Sequence, residues 1–133
     1  MAQSTPHVAD AELKILQVLW DEGRVGARQI TESIYGAASA SHVATVQKLL
    51  QRLEAKRLVR RDRSGHVHVF EATITCTAFA GGQLEQLAQR LTEGSLVPFI
   101  THMVQAKKLP PKERDEIRRL LDAASQQKPR GQK

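Results

Sequence analysis

Cysteine is nearly absent from this 133-residue chain: Cys76 stands alone, so no intramolecular disulfide forms and no thiolate cluster is available to a metal. Aromatic residues are almost as scarce, at 4%, which leaves a core to be built mainly from Leu, Val, Ile and Ala. No apolar run approaches the roughly 18 residues that a membrane-spanning helix needs. The opening MAQSTPHVADAE has neither the charged start nor the apolar stretch of a signal peptide. A cytoplasmic protein without membrane insertion is expected. The chain also lacks a Ser-His-Asp arrangement, a phosphate-cradling glycine loop and a metal-ligand cluster, so no enzyme activity, cofactor or metal is expected. The carboxylates Glu113, Asp115 and Glu116 read as a solvated first turn of a helix rather than an acid/base pair.

What the chain has in excess is positive charge. Lys and Arg number 20 against 14 for Asp and Glu, a net +6, which favours a polyanionic partner without identifying it. The length suits one compact domain, or a small domain with an appended arm.

Apolar spacing predicts a first helix over residues 11–21, with Leu13, Leu16 and Trp20 as a stripe that Ile15 and Leu19 widen. Asp10 is the expected cap, Glu12 suits the positive end of the dipole, and Gly23 ends the helix. A second helix is predicted over 27–35, with Ala27, Ile30 and Ile34 on one face. Small residues 36–40 connect it to a third helix, capped at or near Ser41 and running to about Lys56, whose stripe is Val43, Val46, Leu49, Leu50 and Leu53. The period then changes to two: residues 58–63 and 67–72 read as strands joined at Ser64-Gly65. Three helices followed by a basic hairpin is the element order of a winged helix. Beyond it, Thr75 caps a helix carrying Leu84, Leu87 and Leu91, and Gly94-Ser95 interrupts it. Leu96, Phe99, Ile100, Met103 and Val104 start another stripe. Pro110-Pro111 opens a last helix with Ile117, Leu120, Leu121 and Ala124 on its apolar face.

The fold class expected is therefore mainly α with a small β-hairpin (α+β). It comprises a winged helix-turn-helix DNA-binding domain over 1–73, a helical dimerisation arm over 74–125 and a disordered tail over 126–133. The arm's helices are too narrowly amphipathic to form a core alone, and Leu84, Leu87, Leu91, Leu96, Phe99, Ile100, Met103, Ile117, Leu120 and Leu121 are the candidate dimer interface.

The charge is concentrated. Residues 41–68 hold seven basic side chains (Lys48, Arg52, Lys56, Arg57, Arg60, Arg61 and Arg63) against Glu54 and Asp62, a net +5 of the chain's +6. Phosphate neutralisation and counterion release exploit such a patch. On the third helix the first half of the polar face, Ser41, His42, Ala44, Thr45 and Gln47, is short and suited to close approach in a major groove, where Gln pairs with adenine and Thr touches a base or a thymine methyl. Lys48, Gln51 and Arg52, with Arg60, Arg61 and Arg63 of the hairpin, suit phosphates, which set register rather than sequence. A solvated face on an ordinary helical bundle is the competing reading, and the adjoining basic hairpin favours nucleic acid.

Four stretches carry a resemblance: DAELKILQVLW (10–20), TVQKLLQRLEAKRLV (45–59), GSLVPFITHMV (94–104) and LPPKERDEIRRLL (109–121). In that order the chain resembles the penicillinase-repressor family, which includes the methicillin-resistance and copper-responsive repressors, over about residues 8–123. The resemblance implies a homodimeric repressor that binds double-stranded DNA at a pseudo-palindromic operator, with a membrane sensor-protease as an implied partner of the β-lactam-sensing members. The family's Ser-Pro-Lys-Thr-like segment reads His42-Val43-Ala44-Thr45 here, which alters the expected operator. Arg57 replaces the glycine that usually ends the recognition helix, so either a strained turn or a different helix end is required. His102-Met103 stands in place of the Asn-Phe bond cleaved in β-lactam-sensing members, and the copper-binding Cys-x-Cys pairs are absent. Cys76 reads as a buried or incidental residue. His66 and His68 share one strand face but lack a third metal ligand, the resemblance implies packing for His68, and His102 reads as an interface or surface residue. The alternatives to a repressor are a winged-helix protein–protein adaptor and a non-specific DNA-binding protein.

Overall fold

A computed structural model describes residues 5–126 of the chain. The stripe at three- and four-residue spacing buries one face of α1 (Asp10–Glu22): Ile15 and Leu16 are fully enclosed and Leu19 nearly so, with Leu13 and Trp20 half-buried. Asp10 is not the cap but the first helical residue; the N-cap is Ala9. Its N–H donates to Glu12 Oε1 at 2.9 Å. A glutamate at the third helical position is long enough to reach back, so the end needs no polar cap.

The short strand β1 (Val25–Gly26) leads into α2 (Ala27–Tyr35), whose end is set by Gly36. Gly36 takes φ 83°, the left-handed region that costs glycine little, and its N–H donates to Glu32 O at 2.8 Å. Helix α3 (Ala40–Ala55) is capped by Ser39, whose Oγ accepts from His42 N at 3.3 Å. The helix therefore starts ahead of the expected cap, and Ser41 and His42 lie in its first turn. Val46, Leu50 and Leu53 are fully buried and join Ile15, Leu16, Ile30, Leu58, Val59 and Phe70 in one cluster. Each such aliphatic side chain contributes about 1.5–3 kcal/mol relative to exposure.

Strands β2 (Val59–Asp62) and β3 (Val69–Ala72) form the expected hairpin, with Arg61 opposite Phe70. A third strand was not legible: β1 pairs with the other edge of β3, Val25 opposite Phe70, giving the antiparallel order β1-β3-β2. Two residues are too few to show an alternation. After the hairpin, Thr75 Oγ1 accepts from Ala78 N at 3.0 Å and starts α4 (Cys76–Thr92). Trp20 Nε1 donates to Ile74 O at 2.9 Å, and its ring lies 5.9 Å from that of Phe79, so the exit from the wing is tied to α1.

Two compact units divide at Gln86 and Leu87, and Phe79, beyond residue 73, belongs to the core of the first. In the second, Gly94 at φ 91° follows the end of α4. Next come α5 (Val97–Gln105), with proline in its first turn, and α6 (Pro111–Gln126), which begins with one. Gln126, the first residue of the expected tail, is helical, and the rest of that tail lies outside the described residues.

Two contacts fix the C-terminal end of α3. Glu12, only 2% exposed, accepts from Lys56 Nζ at 2.6 Å, and the same ammonium donates to His7 O at 2.8 Å. Burial raises the Glu12 carboxyl's pKa. The Lys56 and Ala9 hydrogen bonds and the charges of Lys56 and Arg52 outweigh it, so the group titrates below its ordinary value. Just beyond, Arg57 adopts φ 63°. Its N–H donates to Glu54 O at 2.9 Å and Leu58 N–H to Leu53 O at 3.0 Å, with Leu53 and Leu58 both buried. This is a Schellman end with an arginine in glycine's place, a backbone cost of about 1–2 kcal/mol.

Replacing Glu12 with Gln is expected to cost about 2–3 kcal/mol in denaturant unfolding at neutral pH, since Lys56 loses its anion but keeps partial access to water. Because the folded carboxyl titrates low, its contribution is complete above its ordinary value and disappears as pH falls through the folded one. The wild-type and Glu12→Gln curves should therefore converge only at pH below the ordinary glutamate value. Arg57→Gly should raise stability by up to about 1 kcal/mol, relief of strain being partly offset by the freer unfolded chain. A lower midpoint would mean that the arginine side chain contributes more than its backbone costs.

Candidate nucleic-acid interface

With its apolar stripe turned into the first unit's core, α3 presents Ser41, Ala44, Thr45, Gln47, Lys48, Gln51 and Arg52 to solvent, all exposed, with His42 half-buried. The structure thus brings the whole predicted α3 set onto one helix face. Thr45 Oγ1 donates to Ser41 O at 3.1 Å. Its hydrogen is committed to its own helix, which leaves a methyl and a lone pair to meet an incoming group.

The wing arginines are not equivalent. Arg60 pairs with Glu71, and Arg24, which sequence reasoning missed, pairs with Asp62 and lies 3.7 Å from Glu71. Hydrogen bonds from Ser64 hold the Asp62 carboxyl below its ordinary range, with the Arg24 charge adding to the effect. Arg61 points back into the unit. Its Nη2 donates to Glu54 Oε1 at 2.9 Å, its guanidinium lies 4.9 Å over the Phe70 ring, and Nη1 is 3.5 Å from His68 Nδ1. Its Nε is buried without a partner among the described residues. This arginine fastens the wing to α3 rather than projecting from it. Among the described residues, Lys48 and Arg52 on α3 and Arg63 at the wing turn take part in no ion pair.

A cleft of about 520 Å³ separates α3 from the wing, lined by Arg28, Val43, Gln47, Gln51, Arg61 and His68 among others. Arg28, at the start of α2, pairs only loosely with Glu32 at 3.8 Å. It too was missed, because a lone arginine in a helix's first turn has no distinguishing spacing. His66, Val67 and His68 are all exposed on the wing, so His68 does not fill the packing role expected of it, and Cys76, read as a buried or incidental residue, is exposed on the first turn of α4.

In the second unit Leu91, Leu120 and Leu121 are each more than three-fifths exposed, Leu87, Leu96, Ile100 and Met103 are exposed, and Phe99 and Ile117 are half-buried. Leu84, the remaining candidate, is exposed on the part of α4 in the first unit. No helix among the described residues is long and apolar enough to cross a membrane.

Three helices, the last with an exposed polar face, followed by a hairpin that β1 extends to a three-stranded antiparallel sheet define a winged helix-turn-helix, a DNA-binding class. The chain belongs to the penicillinase repressor family, whose model matches residues 8–123, and is a DNA-binding transcription regulator. No curated protein matches its sequence. Among solved structures it is similar to the DNA-binding domain of the repressor BlaI, at 23% identity over 58% of this chain and 93% of that one, with a TM-score of 0.47. A MarR family protein from Bacillus stearothermophilus is similar at 23% identity over 78% and 74%, TM-score 0.46. The hsRosR-S4 complex structure matches at 16% identity over 92% and 96%, TM-score 0.50. Of these only the last, at a TM-score of 0.50, bears on the fold, and at its identity it bears on nothing else.

The inequality of the wing arginines has a direct consequence. Arg63→Ala should reduce the slope of log affinity for duplex DNA against log salt by about 1 and leave the unfolding midpoint unchanged. Arg61→Ala should instead lower stability by about 1 kcal/mol. Equal salt slopes for wild type and Arg63→Ala would remove Arg63 from the interface.

Proposed function

We propose that the protein is a repressor that binds a pseudo-palindromic operator as a homodimer and blocks transcription by occupying it. The observation that carries this reading is the exposed face of α3, small and hydrogen-bonding over Ser41–Gln47 and cationic at Lys48 and Arg52, next to a wing whose Arg63 is unpaired among the described residues. Side chains of the first kind approach base edges, and those of the second neutralise phosphates. In this reading Thr45 and Gln47 read bases, Gln51 and Arg60 assist at the backbone, and Arg61 acts by holding the wing.

The exposed leucines of the second unit supply the reason for a dimer. An apolar surface of this kind on separate short helices is stabilised by covering it, and a second copy of the same arm does so with two-fold symmetry. Two recognition helices related by that symmetry would read the two halves of an inverted repeat.

Selection of bound duplexes from a random pool, with the mass of the free protein measured in parallel, tests both parts. The expected result is an enriched inverted repeat with half-sites about one helical turn apart, or a multiple of it. A dimer mass should fall to that of a monomer in Leu120→Glu/Leu121→Glu, with loss of operator affinity. Steep salt dependence without an enriched sequence would replace the repressor with a non-specific DNA-binding protein. Absence of DNA binding would leave the adaptor reading.

A further inference from the structure

Tyr35, the only tyrosine in the chain, ends α2 and does not serve the core: it is 43% exposed and lies outside the buried cluster. Its ring is stacked on the imidazole of His42 in the first turn of α3, with centroids 4.0 Å apart and planes 7° from parallel. The backbone on both sides of the stack is fixed. Gly36, in the left-handed region, terminates α2 directly after Tyr35, and the Ser39 hydroxyl holds His42 N–H at 3.3 Å. Neither the imidazole nitrogens of His42 nor the Tyr35 hydroxyl makes a hydrogen bond among the described residues.

These facts fit a poised polar group better than a stabilising surface contact. A histidine alone on a helix surface loses rotamer freedom when it binds something; one already held flat against an aromatic ring has lost it in advance. The stack covers one face of the imidazole and leaves its nitrogen-bearing edge unsatisfied, so an edge-on hydrogen bond is the interaction that remains. Residues at the N-terminal end of a recognition helix are those that meet base edges. We infer that Tyr35 is a positioning residue for sequence readout: it orients the His42 imidazole toward a base pair and so sets preference at one position in each half-site. This rests on the DNA-reading role of α3 proposed above.

The test is random-duplex selection with the full chain and its Tyr35→Phe, Tyr35→Leu and His42→Ala variants, followed by affinity for the selected duplex and for a scrambled one. Phenylalanine keeps the stack and should keep every base preference. Leucine has similar bulk but no ring plane. It should lose preference at the same base pair as His42→Ala, with about tenfold weaker binding to the selected duplex and unchanged binding to the scrambled one. The Tyr35→Leu/His42→Ala double variant should be no weaker than His42→Ala alone, as for two residues that act as one unit. If Tyr35→Leu keeps the wild-type preferences, or weakens both duplexes equally, the inference is overturned while the DNA-reading role stands. Should Tyr35→Leu fail to fold by thermal melting, His42→Ala decides independently: unaltered base preference also overturns the inference. Wild-type protein that enriches no sequence overturns this inference together with the reading on which it rests.

Discussion

Glu12 is a carboxylate with almost no contact with water, and an ion in that position needs a partner of opposite charge and hydrogen bonds for its remaining lone pairs. Ala9 N–H and Lys56 Nζ supply them. The constraint is geometric before it is energetic. Lys56 is the C-cap of α3 and Glu12 lies in the first turn of α1, so satisfying the carboxylate fixes where the end of one helix meets the start of the other. Rotating α3 about its axis would pull Lys56 away and leave the anion buried alone. Buried ion pairs are weak evidence for net stability, and what this contact shows directly is where the two helix ends meet. With the axis and rotation of α3 set, Val46, Leu50 and Leu53 go inward, and the face from Ser41 to Arg52 is what remains outside.

The wing depends on that placement at one remove. Glu54, two residues before Lys56, receives Arg61, and Arg61 in turn lies over Phe70 at the centre of the small sheet. Charge that counts toward a basic patch in the sequence is thus partly spent inside the fold. Arg60 and Arg24 are similarly held by Glu71 and Asp62. A pair of this kind is held by its counter-ion and contributes less to the outward field than its formal charge suggests. Lys48 and Arg52 on α3 and Arg63 at the turn of the wing are not tied in this way among the described residues.

Much of this was legible in the linear chain. The bounds of α2, the run of α1 and α3, the change of period into the hairpin and the proline starts of α5 and α6 follow from local rules of spacing, turn chemistry and proline geometry. The misses share one cause. Asp10 reads as a cap because nothing near it in sequence shows that Glu12 reaches back to Ala9. Ser41 reads as the start of α3 because the extended backbone at Ser39 is not visible in the residue types. β1 is two residues long and exists only because β3 has an unpaired edge beside it. Arg61 looks like its neighbours Arg60 and Arg63 until the strand's alternation is combined with the position of Glu54.

Sequence alone determined the element order, the buried stripes and the identity of the polar face of α3, because each depends on residues within a few positions of one another. It also pointed to the family, through four stretches whose order is itself local information repeated along the chain. Tertiary structure decided which charges are available and which are tied. It also decided that Glu12 meets Lys56 across 44 positions and that the Tyr35 ring lies flat on His42. Those facts depend on how helices and strands from separate parts of the chain are brought together, and pairing at a distance is selected by packing and desolvation, which no local pattern encodes.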